Sequence, residues 1–264
     1  MSALFALEDG RYVPSADTAG PWDPGAQHGG AVAALLTDAF ERRDEVAGLA
    51  AGRLSFEFLR PVPVAPLVLE LELVRPGRRV VELGARLHAG GAEVCRAAAL
   101  FLSPVAADLP AADPQAPDPM PGPQSGREYA FGLDREAAQG ARGFAPRALE
   151  MRFLDEPFAP GPARVWMRPA LELFAGRPLS ALARLAATAD FGNGVAAPLP
   201  FAEYIFINAD LSIHLMRAPR GEWIGLDART HVAGGGVGLA ESLVHDEHGP
   251  VARAFQSLVV APRE

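Results

Sequence analysis

The chain has 264 residues, 49% of them hydrophobic, and a formal net charge of −8. That length bounds it to one large domain or two small ones, and the acidic balance argues against nucleic acid, whose phosphates demand a basic face. With one cysteine, Cys95, no intrachain disulfide is possible. The opening MSALFALEDGRYVP lacks the charged start and long apolar run of a signal peptide. No stretch reaches the roughly 18 apolar residues of a membrane span. A reducing, cytoplasmic setting is expected.

Phe5 to Leu7 and Arg11 to Val13 flank Asp9-Gly10, the signature of a small hairpin. A Gly- and Pro-rich loop leads to His28-Gly29-Gly30. Val32, Leu35, Leu36, Ala39 and Phe40 then recur at helical spacing, so a helix with one buried face is expected. Four strands follow, near 53–60, 66–75, 79–88 and 93–103, separated by Pro and Gly turns. Residues 104–127 hold seven prolines and read as an extended linker. Beyond it the pattern predicts strands near 146–153 and 163–171, a helix over about 179–190, and strands near 203–217, 222–232, 237–246 and 250–260. The expected organisation is residues 1–103, a linker over 104–127, and residues 128–264.

The two halves read as copies. At an offset of 157 residues, Leu54-Ser55 falls on Leu211-Ser212, Arg60 on Arg217, Gly77 on Gly234, His88 on His245 and Arg96-Ala97 on Arg253-Ala254, without a gap across four strands. An internal duplication of a helix-and-meander unit follows, of α+β class.

Duplication supplies an internal control for polar residues. Gln256 falls on Ala99 and shares a strand face with Ala252, Ala254 and Leu258. A buried amide there must find partners or cost about 1–3 kcal/mol; a structural bond to neighbouring backbone would satisfy it equally. Asp190 continues the stripe Leu179, Leu182, Ala183 and Ala186 at a helix C-terminus, where the dipole and burial both oppose a carboxylate. Two adverse placements together point to function, unless the helix ends earlier and Asp190 turns to solvent. Asn208 is compatible with a simple turn or bulge. His28-Gly29-Gly30 is either an ordinary cap or a set of free amides that polarise a carbonyl. His245 and His248 read as solvated turn residues, Cys95 as a packed thiol, and the six scattered histidines give no metal-ligand spacing.

The order HGG, RLSFEFLRPVP, ADFGNG, FINADLSIHL, EWIGLDART and VARAFQSL resembles the double-hotdog acyl-CoA thioesterases, those similar to acyl-CoA thioesterase II. The resemblance spans nearly the whole chain. It implies a tandem hotdog fold of two antiparallel sheets, each wrapped around a long helix. It also implies hydrolysis of acyl-CoA by a water held by an Asp, a hydroxyl residue and a Gln. These positions match Asp190, Asn208 and Gln256, with Asn208 departing from the hydroxyl. Gly29 and Gly30 match the glycine pair that binds the carbonyl, with His28 beside the substrate. No cofactor is implied, CoA being part of the substrate, and a homo-oligomer is implied. A lipid-binding protein without turnover remains the competing reading. An enoyl-CoA hydratase would require a histidine beside Asp190, and none is near it in sequence.

Overall fold

The computed structural model describes residues 3–105, 120–129 and 143–263. After an N-terminal hairpin, β1 (Phe5–Glu8) and β2 (Arg11–Pro14), helix α1 (Gly29–Glu41) precedes β3 (Ala50–Phe58), β4 (Leu67–Arg75), β5 (Val80–Ala89) and β6 (Ala92–Leu102). The second half has β7 (Arg127–Glu128), a short α2 (Phe144–Ala148), β8 (Leu149–Phe153) and β9 (Ala163–Pro169). Then come α3 (Ala181–Ala189), α4 (Gly192–Val195), β10 (Tyr204–Asn208), β11 (Asp210–Leu215), β12 (Ile224–Val232), β13 (Val237–Asp246) and β14 (Gly249–Pro262). Among the described residues no helix is long and apolar enough to cross a membrane.

The expectation of two separate sheets is corrected. Among the described residues fourteen strands form one antiparallel sheet, in the order β1-β2-β4-β5-β6-β3-β11-β14-β13-β12-β9-β8-β7, with β10 also on β14. The halves join where β3 pairs with β11, so the edges that each half would leave open satisfy one another. In that join Ser55 lies opposite Ser212. These are equivalent residues of the two copies, so a pseudo-twofold axis passes through the junction.

The second helix is also shorter than expected. α1 runs thirteen residues, whereas α3 runs nine and stops at Asp190. His28 caps α1 and Ser180 caps α3, each side chain accepting a backbone N–H of its own first turn. The two helices pack against each other, closest where Gly30 meets the carbonyl of Ala187. Around them the sheet contributes Leu54, Phe56, Leu83, Leu87, Leu211, Ile213, Leu226 and Val244, all buried in one core. In β4 the leucines Leu67 to Leu73 face that core, while Val68, Glu70 and Glu72 face out, as strand alternation requires.

The single strand expected over 203–217 is split. Four steps from Asn208 to Ser212 oppose three from Leu258 to Phe255, leaving Ala209 as a bulge between β10 and β11. Ala209 still donates to Ser257 O at 2.9 Å and accepts from Phe58 N at 2.8 Å. Its counterpart, Gly52, sits at a register shift of β3. The start of the strand expected near 146 is helical instead, with Phe144 and Ala148 buried in α2. Of the Pro-rich stretch, residues 106–119 lie outside the described residues. Its last part is no free linker: Pro123 is buried, β7 pairs with β8, and Trp166 donates to Pro121 O at 2.7 Å.

His245 is not solvated. Only 1% of it is exposed, and neither ring nitrogen has a hydrogen-bond partner among the described residues. It pairs across the strands with Gly225, which in turn faces Trp166, so alternation puts His245 on the outer face beneath packed side chains. Burial pushes its pKa down, against the pull of Asp227 and Asp246. The unfolded chain therefore takes up a proton below about pH 6.5 that the folded chain resists. Stability is fully present above that pH and is lost as pH falls toward the depressed folded value. In His245→Leu the thermal midpoint should lose this fall below about pH 6.5 while holding at neutral pH. An unchanged midpoint-versus-pH curve would refute the assignment.

Candidate active site

Four side chains from four elements meet at the end of α3. Asp190 caps that helix and is 3% exposed. Asn208, the last residue of β10, donates from Nδ2 to Asp190 Oδ1 at 2.9 Å and to Asp210 O at 3.2 Å. Asn208 thus serves the bulge and the carboxylate together. Gln256, from β14, donates to the Asp190 carbonyl at 3.0 Å and lies 3.4 Å from Oδ1. Its own Oε1 accepts the Asn193 amide at 3.0 Å. His28 Nδ1 stands 3.0 Å from Asp190 Oδ2. Asp190 does not turn outward, although α3 ends just before it.

His28 Nδ1 also lies 3.0 Å from the Gly30 amide. One nitrogen cannot accept from Gly30 and donate to Asp190 at once. If it accepts from Gly30, it has no proton to give to Asp190 Oδ2, and the 3.0 Å approach is a contact and not a hydrogen bond from the ring. If it donates to Asp190, the Gly30 amide is released; Gly30 is buried and, unlike Gly29, does not line the cavity. The Gly29 amide is unpartnered among the described residues, as first-turn amides are. The imidazole is fixed by stacking on Phe191, ring centroids 4.3 Å apart, with Phe144 at 5.2 Å.

Glycine is required at both positions after His28. A Cβ at Gly29 would stand 2.7 Å from Asp190 Oδ2 and 2.8 Å from Phe58 Cζ. A Cβ at Gly30 would strike the carbonyl of Ala187. Gly192 does the same for Gln256, whose Oε1 would lie 2.9 Å from an added Cβ.

Asp190, Asn208, His28 and Gly29 line a cavity of about 650 Å³. Its other walls are mainly apolar, including Trp22, Phe58, Phe158, Phe191 and Phe201. The cavity lies at the N-terminal end of α1, lined there by His28 and Gly29, while Leu35, Leu36 and Phe40 further along that helix are buried in the core. Gln256 does not line it; the amide is spent on Asp190 and Asn193, behind the carboxylate. Cys95 is buried and its thiol is pushed up to about 12 by burial first, with nearby Glu57 and Asp190 adding. It is a packed thiol.

Sequence reasoning missed Asn193 and Phe191. Asn193, inside what reads as a solvated Gly-Asn-Gly stop, is 6% exposed and donates from Nδ2 to Phe206 O at 2.9 Å. Its signal was the abrupt helix stop itself, which leaves amides to be satisfied. His28 was also placed too loosely. The absence of a histidine near Asp190 in sequence does not hold in space.

Among the described residues the opposite end of the helix pair carries no such cluster. There Ser180, the counterpart of His28 as helix cap, donates to Glu41 at 2.5 Å, and Arg177 pairs with Asp38 at 3.1 Å. Phe5 and Tyr12 pack on Phe174 beside them.

Duplicated helix-and-meander halves sharing one sheet, with a polar cluster where the helix ends meet, define a hotdog thioesterase. The chain matches the acyl-CoA thioesterase C-terminal domain over residues 110–260 and the acyl-CoA thioesterase N-terminal domain over residues 18–102. It belongs to the acyl-CoA thioesterase family. A candidate thioesterase from Novosphingobium aromaticivorans DSM 12444 is 25% identical with a TM-score of 0.71, covering 98% of each chain. The acyl-CoA thioesterase II TesB2 of Mycobacterium marinum is 21% identical with a TM-score of 0.64, covering 98% of this chain and 95% of that one. A hot dog fold protein of unknown function from Alicyclobacillus acidocaldarius is 19% identical with a TM-score of 0.74, covering 98% and 96%. No curated protein matches the chain.

Gly29→Ala should fold but displace Asp190 or Phe58, costing about 1–3 kcal/mol of stability. Thioester hydrolysis should fall at least tenfold. Calorimetric unfolding together with a free-thiol assay tests both, and wild-type values in the two would show that no close approach is needed.

Proposed function

We propose that the chain hydrolyses acyl-CoA by direct attack of water, with Asp190 as general base. The observation that carries this reading is a carboxylate buried at the cavity wall and held by Asn208 Nδ2, with Gln256 behind it. A base needs a fixed direction and reach to its proton.

Water attacks the thioester carbonyl carbon as one of its protons passes to Asp190. The carbonyl oxygen becomes an oxyanion and takes the amide of Gly29 at the positive end of α1. Collapse of this tetrahedral species breaks the C–S bond. The thiolate then receives the proton from the Asp190 carboxyl, leaving a free acid and CoA. Asn208 faces the cavity and orients both Asp190 and the water. Gln256 is a positioning residue, since it holds Asp190 by its carbonyl and the following turn by the Asn193 amide. His28 holds Asp190 from the Oδ2 side, its Nδ1 standing 3.0 Å away.

The apolar walls receive the acyl group. The His28–Asp190 contact favours a second reading, hydration of an enoyl-CoA, in which the same pair would deliver water to a double bond. A lipid-binding protein without turnover is the third outcome of one experiment.

Asp190→Asn keeps the volume and the fold. It should lower kcat for acyl-CoA hydrolysis by about 10²- to 10⁴-fold, whereas Asn208→Ala should lower it less, by roughly tenfold. A free-thiol assay over an acyl-CoA panel, with absorbance of the enoyl group followed in parallel, separates the three readings. Unchanged thiol release by a folded Asp190→Asn variant would sink the general-base role.

A further inference from the structure

The two copies place an arginine at the same point. Arg60 and Arg217 each stand two residues beyond the paired central strands β3 and β11, at the duplication offset. In the second half Arg217 is fully engaged. Its guanidinium makes a two-point ion pair with Asp246 at 2.5 and 2.7 Å, and donates to Gly249 O at 2.9 Å. Burial raises the Asp246 carboxyl, but the Arg217 hydrogen bonds and the His248 and Arg220 amides outweigh it and hold it below the usual range. This is a structural clamp on the β13–β14 turn.

In the first half the clamp has no counterpart. Position 89, equivalent to Asp246, is Ala89, at the matching turn between β5 and β6. Among the described residues the Arg60 guanidinium therefore has neither an ion pair nor a hydrogen bond; only its backbone amide is used, donating to Val94 O. Arg60 is exposed and lines the cavity. Among the described residues it is the cation of that wall, where the other charged side chains are Asp23 and Asp190.

Its position is outward of the reacting centre. Phe58 Cζ and Asp190 both approach Gly29, and the chain leaves the sheet through Leu59 to Arg60. Beside it the rim is apolar and open to solvent: Leu59 is 44% exposed, Ile207 41% and Val259 54%. Ile207 and Val259 are cross-strand partners, so they form one surface. A chain of −8 net charge with two carboxylates in the cavity repels an anionic substrate. An unpaired guanidinium at the rim offsets that locally and offers planar, two-point recognition of a phosphate or carboxylate.

We propose that Arg60 is the anion-recognising residue of the cavity mouth, binding a negatively charged group of the thioester substrate while the rim of Leu59, Ile207 and Val259 supports the uncharged arm between that group and the thioester. This rests on the thioesterase reading of the same cavity. Two sources can supply the anion: the phosphates of CoA, or a carboxylate at the far end of the acyl group. Arg60 acts on binding, not on bond breaking.

The test compares wild type, Arg60→Ala and Arg60→Lys on three thioesters: an acyl-CoA, the same acyl group on N-acetylcysteamine, and a carboxy-terminated acyl group on N-acetylcysteamine. If CoA phosphate is read, Arg60→Ala raises KM for acyl-CoA by roughly tenfold to a hundredfold relative to its effect on the neutral N-acetylcysteamine thioester. The salt dependence of kcat/KM flattens with it, and Arg60→Lys recovers part of the loss. If an acyl carboxylate is read, the selective loss falls on the carboxy-terminated thioester instead. Equal effects on all three substrates, or no effect, overturn the proposal. Calorimetric titration of wild type and Arg60→Ala with CoA and with the carboxy-terminated thioester asks the same question without turnover. A wild type that binds these ligands through Arg60 but releases no thiol would defeat the hydrolysis reading and leave this one standing.

Discussion

A carboxylate buried at the C-terminal end of a helix is the constraint on which this architecture turns. The helix dipole opposes charge there, and removal from water costs several kcal/mol unless donors replace it. Asp190 obtains its donors from elements far apart in sequence, Asn208 from β10 and Gln256 from β14, and meets the ring of His28 from the cap of α1. Each needs close approach, and the local oddities of the fold supply it. The bulge at Ala209 ends β10 where Asn208 can donate to both Asp190 and Asp210. Gly192 leaves room for Gln256, and Gly29 leaves room for Asp190 itself.

The duplication explains why these features lie in one place. A pseudo-twofold fold offers two equivalent sites, one at each end of the α1–α3 pair. Here the ends have diverged. One holds His28 and Asp190 beside an open cavity; the other holds Ser180, Glu41, Arg177 and Asp38 in polar and ionic contacts. The same divergence runs through the strands, with Asn208 against Ala51 and Gln256 against Ala99. The first half supplies the helix N-terminus, Phe58 and the histidine, and the second supplies the carboxylate and its amides. Neither half holds the whole site, so the continuous sheet through Ser55 and Ser212 is what aligns the reacting groups.

Stability and chemistry use similar residues for different ends. Arg217, half-buried, makes with the buried Asp246 a two-point pair that fixes a turn, and burial lowers the pKa of His245 next to it. In the cavity, polar groups are instead left with a free lone pair or amide, as at Gly29 and around Asp190. At the cavity the unused capacity lies beside an apolar wall, whereas the unpartnered ring nitrogens of His245 are sealed beneath packed side chains.

The amino-acid sequence alone determined what depends on short-range pattern. The alternation of Leu67 to Leu73 set β4, the spacing of Val32 to Phe40 set α1, and the constant offset between halves exposed the duplication. Asp190 and Gln256 were legible because each breaks an otherwise apolar face, a conflict visible without coordinates. Only the tertiary structure decided what depends on distance through space. It merged two expected sheets into one, since edge strands of separate halves satisfy each other's hydrogen bonds. It split the strand at Ala209, buried His245 under packed side chains, and set Asn193 behind the site. It also brought His28 to within 3.0 Å of Asp190 across more than half the chain. Periodicity tells which face a residue occupies; the packing of α1 against α3 tells what stands opposite, and that is information no local stretch of sequence contains.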